Sequence, residues 1–488
     1  MDRSGANVAA LETHVSWLFF GPDRVYKIKR PVRYDFLDFR DLDARGDACE
    51  NEVELNRRLS PDVYLGVGAI VGPDRSVEPA VVMRRLPAER RLAALVERDD
   101  PSVAYRLEQV AARLAAFHHA AGRSGLIDEH CRADAVSALW RENLEALAPF
   151  TGAVVDAGLL ERIGSLARAY LAGRRRLLST RVERGRAVDG HGDLLADDIF
   201  CLPDGPRIID CLEFDERLRH LDPLADVAFL AMDLERMGRP DLARTFLDAY
   251  RNDSGDAWPE SLEHHWVAHR ALVRAKVACL RHAQGHPEAA AEAGRLIAMA
   301  LSHLEAGAVR LVLIGGAPGT GKSTLAARLG EVTGWPVLRS DVLRRELAGR
   351  PVLAHYPEAF GAGLYQAEAT ATVYAELLSR ARHLLERGES VILDASWVRR
   401  AWRDGATDLA AATLSALVCL ECEVPLEVAV ARVTERARSG RDASDATAGV
   451  ARVMYLEAES WPEAEVVDTT GPEEAALERA LRAVRSAP

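Results

Sequence analysis

Cysteine is sparse in this chain: seven residues are scattered through 488, an odd number in a long sequence. Such a pattern builds no disulfide framework. A lone CxxC, Cys419 and Cys422, lies inside an apolar, strand-like run over 417–424, and no second CxxC or histidine pair completes a zinc set. A buried strand is expected there rather than a metal or redox site. No uninterrupted apolar run of about 18 residues occurs, so no membrane span is expected. Residues 1–10 lack the basic-then-apolar pattern of a signal peptide, which leaves the cytoplasm as the default expectation. A basic excess is missing too. The net charge of −12 argues against a broad nucleic-acid surface but allows a local basic pocket.

What is present describes a soluble globular chain, 48% apolar and 28% charged, and too long for one core. Two or three domains are expected.

The sharpest local signal is Gly316-Ala317-Pro318-Gly319-Thr320-Gly321-Lys322-Ser323, followed by Thr324. It comes after the apolar run Leu311–Ile314 and opens an apolar-periodic stretch over 322–332. Strand, glycine loop and helix in that order are the setting a phosphate-binding loop requires. Glycines let backbone N–H groups turn toward phosphate oxygens, and the helix adds its positive end. Lys322 is expected to reach the β- and γ-phosphates of ATP, and Ser323 to place its hydroxyl on Mg2+.

Downstream, 335–339 reads as a short strand ending in Ser340-Asp341, with Arg344 at helical spacing. Val391-Ile392-Leu393-Asp394 is a second buried strand ending in an acid, as a metal-side carboxylate should be. Residues 414–424 form a further strand. Alternating strands and helices predict a parallel sheet with helices on both faces. Arg432, Arg436, Arg438 and Arg441, then Ser444-Asp445-Ala446, look like a lid over phosphates. Arg432 and Arg436 share a helix face at four-residue spacing and are the preferred pair. Asp394 is followed by Ala395 and Ser396, not by the glutamate of an ATPase, which favours transfer to an acceptor.

The first 300 residues have another character. Residues 15–20 and 25–29 read as a hairpin around Gly21-Pro22-Asp23-Arg24, and its return strand bears Lys27 and Lys29. These lysines are two apart and point to one face. Residues 45–59 read as a helix and 80–83 as a strand, and 91–180 is helical with few breaks. A small β-rich lobe therefore precedes a large α-rich one. His191-Gly192-Asp193 and Ile208-Ile209-Asp210 form the second phosphoryl-transfer signature. His118 and His119 end an apolar helical pattern and are expected to be structural or solvated. Arg274 and Lys276, on a helix-like run over 266–280, can face an anionic substrate, but a solvated helix face is the plainer expectation.

Residues 10–300 resemble the protein-kinase-like fold in its aminoglycoside phosphotransferase-like branch, more closely the bacterial proteins that fuse such a domain to a P-loop kinase. The match is carried by 25–32, 51–59, His191-Gly192-Asp193-Leu194, Asp210-Cys211-Leu212-Glu213-Phe214 and Asp226-Val227-Ala228-Phe229-Leu230. The resemblance implies a strand lysine on the nucleotide phosphates, Lys27 or Lys29 with a lean to Lys27, and Glu52 as its ion-pair partner. It implies Asp193 as the catalytic-loop aspartate and Asp210 as a metal ligand. Two positions depart from the pattern: Leu195 replaces a histidine, and Asp198 replaces an asparagine. Asp198 can still ligate Mg2+, at the cost of added negative charge.

Residues 309–485 are similar to small-molecule P-loop kinases of the gluconate kinase, polynucleotide kinase and zeta-toxin type. By that resemblance Asp341 orients or deprotonates the acceptor, Arg344 binds phosphate or substrate, and Asp394 holds Mg2+ through water. The expected organisation is an α+β, bilobal kinase-like domain over 1–305 and an α/β P-loop domain over 306–488. The expected activity is ATP- and Mg2+-dependent phosphoryl transfer to a small-molecule hydroxyl, with the C-terminal half as the main kinase. A nucleotide-responsive regulator and a toxin-like kinase are the competing readings. Oligomeric state is left open.

Overall fold

The computed structural model describes residues 9–13, 15–34, 37–72, 75, 77–349, 366–439 and 447–486. The chain divides into two compact units. The first comprises Met1–Ala157, Ser179–Trp258 and Trp266–Ala300; the second comprises Gly158–Leu178, Pro259–His265 and Leu301–Pro488.

The first unit opens with a five-stranded antiparallel sheet of β1 (Ala9–Glu12), β2 (Ser16–Phe20), β3 (Arg24–Lys29), β4 (Tyr64–Val71) and β5 (Val77–Arg84), in the order β1-β2-β3-β5-β4. The β2–β3 turn is closed by the Gly21 N–H donating to the Arg24 carbonyl at 2.8 Å. Helix α1 (Leu42–Arg57) lays Cys49 and Val53 against Val25, Val63, Tyr64, Val81 and Met83. It starts three residues before the expected 45 and stops at 57. Leu59 lies beyond it yet is 2% exposed, so burial and not helix continuity explains its apolar character.

The α-rich part holds α2 (Val103–Ala120), α3 (Ala133–Leu147), α4 (Pro223–Arg236), α5 (Pro240–Ser254) and α6 (Glu260–Ala283). Asp222 caps α4 by accepting from the Leu224 N–H, and Pro223 fills its first turn. Every residue from Pro223 to Leu234 is buried, so α4 is a core helix. A two-stranded hairpin, β6 (Ile199–Leu202) and β7 (Gly205–Ile208), delivers the chain to Asp210.

The second unit is built on a parallel sheet of β8 (Arg310–Gly315), β9 (Val337–Arg339), β10 (Val391–Asp394), β11 (Ala416–Glu423) and β12 (Glu465–Asp468), in the order β9-β10-β8-β11-β12. The central strand β8 is buried along its whole length, as parallel strands covered on both faces are. Helices α7 (Lys322–Thr333) and α12 (Glu473–Ser486) pack on Val312, Ile314, Ile392, Val418 and Leu420. Further helices of this unit include α8 (Ser340–Leu347), α9 (Ala367–Glu386), α10 (Arg400–Ala412) and α11 (Leu426–Ser439), and α9 and α10 pack against the sheet as well. Cys419 and Cys422 both lie on β11 as free thiols, Cys422 in the core. Arg174 is buried and donates to the Thr413 carbonyl at 2.5 Å and to Ser415 Oγ at 3.0 Å, at the end of α10. Among the described residues no helix is long and apolar enough to cross a membrane.

Candidate active sites

In the second unit the loop between β8 and α7 is shaped by its glycines. Gly316, Gly319 and Gly321 have φ of 132°, 89° and 87°. At Gly319 an added Cβ would lie 2.3 Å from the Ala429 carbonyl oxygen, so the residue is fixed by both conformation and space. Thr320 Oγ1 donates to the Ala317 carbonyl at 2.8 Å and ties the turn through Pro318. Lys322, Ser323 and Thr324 then begin α7.

A cavity of about 390 Å³ opens beside this helix start. Gly319, Gly321, Lys322, Ser323 and Thr324 line it, and so do Arg432 and Arg436 of α11. Arg432 also donates to the Thr469 carbonyl at 2.8 Å. Gly316, Ala317, Pro318 and Thr320 belong to the loop but do not line this cavity. The Arg438 side chain, Arg441 and Ser444-Asp445-Ala446 lie outside the described residues.

Asp394 ends β10 and is 3% exposed. Arg339 Nε donates to its Oδ2 at 3.0 Å. Its Oδ1 is buried without a hydrogen-bond partner among the described residues. Burial pushes the Asp394 carboxyl up, against the pull of Lys322, Ser323 and Arg339, while Asp341 pushes it further up. Loop lysine, loop serine and both strand-end acids therefore converge. An orphaned carboxylate oxygen near a serine hydroxyl suits Mg2+, which keeps most of its waters and needs few protein ligands.

Asp341 and Arg344 sit three residues apart on α8, and Arg344 is buried with Nη1 donating to Thr370 Oγ1 at 3.3 Å. Asp341 and Arg344 both act on the Tyr374 phenol, which burial pushes up. Tyr374 shares a hydrogen bond with Ser396 Oγ at 3.2 Å and accepts from the Trp397 N–H at 3.3 Å. Trp397 is fully buried with φ of 53°, a strained conformation for a bulky residue. The Tyr374–Ser396–Trp397 group was not anticipated. Its signal was the strand-end run Asp394-Ala395-Ser396-Trp397.

In the first unit, Glu52 is fully buried and takes both lysines: Lys27 at 2.9 Å and Lys29 at 2.6 Å. Lys27 also pairs with Asp210, and Lys29 with Glu213. Burial works against the Lys27 charge, but Asp210 and Glu52 hold its ammonium well above the ordinary lysine range. The two lysines thus divide their partners: Lys27 meets Asp210, whose side chain is 48% exposed, and Lys29 meets Glu213. Glu213 was not anticipated as a site residue.

The His191–Asp193 loop hangs on α4. Asp226 accepts the His191 N–H at 2.7 Å and the Gly192 N–H at 2.9 Å. His118 bridges Asp226 at 3.0 Å and the Tyr250 hydroxyl at 2.8 Å. Burial alone would raise the Asp226 carboxyl; the His118 hydrogen bond and the two amides hold it well below the carboxylate range. His118 is therefore a buried structural residue, while His119 is exposed. His191 Nε2 reaches the Ile209 carbonyl at 3.1 Å, joining the two halves of the signature.

Burial pushes the Asp193 carboxyl up, with Arg274 as the strongest opposing charge. Asp198 is raised well above the usual range by burial and by Asp210, Asp193 and Asp197. Asp193, Asp198 and Asp210 thus crowd negative charge into one place, which suits a divalent cation between Asp198 and Asp210. Leu195 is half-buried beside them. The expected solvated face of α6 is not found. Arg274 is half-buried and acts on Asp193, and Lys276 donates to Asn143 Oδ1 at 2.7 Å.

Comparison with known proteins finds a family match in each half of the chain. Residues 39–264 match the phosphotransferase enzyme family, and residues 311–459 match an AAA domain. The molecule is a phosphotransferase in which a domain of the phosphotransferase enzyme family is joined to a P-loop domain that matches an AAA model. It belongs to one family with an uncharacterized protein of Mycobacterium tuberculosis strain H37Rv, 43% identical over 477 residues, which are 98% of this chain and 95% of that one. A gluconokinase from Sinorhizobium meliloti 1021 is similar over 36% of this chain and 91% of its own, at 19% identity and a TM-score of 0.27. The GDP complex of an aminoglycoside 2'-phosphotransferase-IIIa is similar over 62% of this chain and 94% of its own, at 16% identity and a TM-score of 0.40.

Proposed function

We propose that the chain transfers the γ-phosphoryl group of ATP to a hydroxyl of a small molecule, with Mg2+, and that the P-loop unit carries the main transfer. The observation that supports this most is the convergence on Asp394 of Lys322, Ser323, Arg339 and Asp341 beside a nucleotide-sized cavity. Catalysis by such a site is positioning plus charge neutralisation. Loop amides and Lys322 hold the phosphates, and Arg432 and Arg436 close on them from α11. Asp341 orients the acceptor hydroxyl or takes its proton, and Arg344 anchors the acceptor from the same helix face. Ser323 and Asp394 would hold Mg2+, which would supply charge neutralisation on the phosphates.

The first unit is assigned a second ATP site: Lys27 on the phosphates, held by Glu52, with Asp193 at the acceptor and Asp198 and Asp210 toward Mg2+. We place the two domains at 1–305 and 306–488 of the sequence, in the cytoplasm. A nucleotide-responsive role for the first unit has one observation in its favour: Lys27 is already engaged by Asp210.

The test is acceptor-stimulated ADP release from Mg-ATP, across sugars, polyols, aminoglycosides, nucleosides and 5′-hydroxyl oligonucleotides. Wild type, Lys322→Ala and Asp193→Ala are run in parallel. Loss in Lys322→Ala alone is expected for the main activity. Unchanged turnover in that variant overturns the P-loop assignment, and tight ATP binding without acceptor stimulation favours the regulatory role.

A further inference from the structure

A pocket built for a polycationic acceptor is lined with carboxylates. The side chains of α6 whose charge acts on Asp193 have the opposite sign. Arg270 and Arg274 stand four residues apart, on one face of the helix. Arg270 is 6% exposed; its Nε donates to the Ala225 carbonyl at 2.8 Å and its guanidinium lies 4.8 Å from the Phe229 ring centre. Ala225 directly precedes Asp226, which holds the His191 and Gly192 amides. Arg270 is thus locked onto the support of the catalytic loop. Arg274 follows one turn on, half-buried, with no hydrogen bond or ion pair among the described residues. Neither arginine is ion-paired to a carboxylate among the described residues. The charge of Arg274 nevertheless opposes the rise of the Asp193 carboxyl more than any other side chain does, and Arg270 adds to it.

A partly desolvated guanidinium without a partner is costly unless something binds it. Its planar fork of donors matches a carboxylate or a phosphate. We infer that the first unit takes a hydroxyl acceptor that also carries an anionic group, a carboxylate or a phosphate, bound by Arg274 with Arg270 while the hydroxyl meets Asp193. This rests on the reading of the unit as a phosphotransferase. In the transfer the acceptor oxygen bonds to the γ-phosphorus, the β–γ bridging bond breaks, ADP leaves, and the hydroxyl proton passes to Asp193. Cationic aminoglycosides are excluded as acceptors by the same two charges.

The experiment uses the full chain carrying Lys322→Ala, which silences the P-loop unit. ADP release is measured with glycerate, glucose 6-phosphate, glucose and kanamycin, and binding of the same four is followed separately by calorimetry. Glycerate and glucose 6-phosphate separate a carboxylate from a phosphate anchor. The expected result is stimulation by one anion and by neither glucose nor kanamycin. Arg274→Gln should raise KM about tenfold or more, the loss of one charge-assisted contact, with a smaller change in kcat and an unchanged melting temperature. Arg274→Lys should recover part of the affinity. Anion binding that Arg274→Gln abolishes, without any ADP release, upholds the anion site and sinks the phosphotransferase reading. Stimulation by kanamycin or glucose, anion binding indifferent to Arg274→Gln, or no binding of either anion overturns the inference.

Discussion

Asp226→Asn tests how the catalytic loop of the first unit is held. The carboxylate is 0% exposed and accepts two backbone amides, at 2.7 and 2.9 Å, with His118 as a third contact. An asparagine offers one carbonyl oxygen and one NH2. One amide must then face another donor, deep in the unit. Hydrogen bonds to a charged group contribute about 1.5–3 kcal/mol each, and a buried donor left unpaired costs about 1–3 kcal/mol. Relief of the buried charge offsets part of this, which leaves a net loss of about 3–5 kcal/mol, the range for a broken buried charged pair. At 1.4 kcal/mol per factor of ten, the His191 and Gly192 amides should exchange with deuterium about two to four powers of ten faster. Exchange of peptides over 186–196, followed by mass spectrometry on the full chain, reads this directly, and the peptide over 316–324 serves as an unchanged control. Exchange within about threefold of wild type at His191 and Gly192 would falsify the argument, because local opening energies of that size move rates far more. The pH dependence has a defined sign. The folded carboxyl is held below its unfolded value of about 3.9, so its contribution is present above that pH and is lost as pH falls below it.

Gly319→Ala should weaken ATP binding and lower the stability of the second unit by about 1–3 kcal/mol, the strain of a left-handed alanine, with the contact at the Ala429 carbonyl adding to it; ATP titration and denaturant midpoints check it, and normal ATP affinity would refute it. Lys322→Ala should lower kcat of the P-loop unit by about a hundredfold or more, since it removes a charge that acts on the transferring phosphoryl group; single-turnover kinetics measure it. His265, 1% exposed and stacked on Tyr170 with ring centres 4.5 Å apart, has an imidazole that burial pushes down to about 3. Its unfolded value is about 6.5, so the unfolded state binds the extra proton between those values. Stability of the second unit should therefore fall with pH through that window, by at most about 1.4 kcal/mol per pH unit from this residue. His265→Phe, which keeps a ring against Tyr170, should flatten the slope between pH 7 and pH 5, and an unaltered slope counts against the assignment.

The P-loop half was legible because its chemistry is local. Strand, loop and helix start are contiguous from Arg310 to Thr333, and Asp394 ends an apolar strand that needs no distant partner to be recognised. Strand β12 escaped notice. It is four residues with acid at both ends, and only Val467 of it is buried, so neither alternation nor an apolar run marks it. In the first unit the motifs could be quoted, but roles that depend on long-range packing could not. Asp226 was visible as part of a match; its grip on residues 34 and 35 positions earlier was not. His118 needed a partner 108 residues away, and Arg274 needed to know which face of α6 the catalytic loop covers.

One signal in the composition would have ranked the phosphate sites ahead of any motif. Lysine is the scarcest charged residue: Lys27, Lys29, Lys276 and Lys322 are the four in a chain with 62 basic residues. Everywhere else the positive charge is arginine. The two side chains differ in what they can do. Arginine presents a rigid planar fork, whereas lysine is a compact, strongly hydrated point charge on a flexible stem. Glu52 pairs with two ammonium groups, one at each oxygen, at 2.9 and 2.6 Å, while Asp210 and Glu213 take their other sides. At the second site Lys322 opens a helix inside a glycine loop that an added Cβ already overfills, and it is the sole lysine of its unit. Lysine thus stands where a phosphate oxygen, or the acid that precedes it in the site, must be met by a small cation in a confined space. Lys276, which donates to Asn143 and lies two residues beyond Arg274 on α6, is the one lysine outside that pattern. As proposed, lysine meets the nucleotide in both units, with Arg432 and Arg436 beside it in the P-loop unit, and arginine alone meets the acceptor in the first.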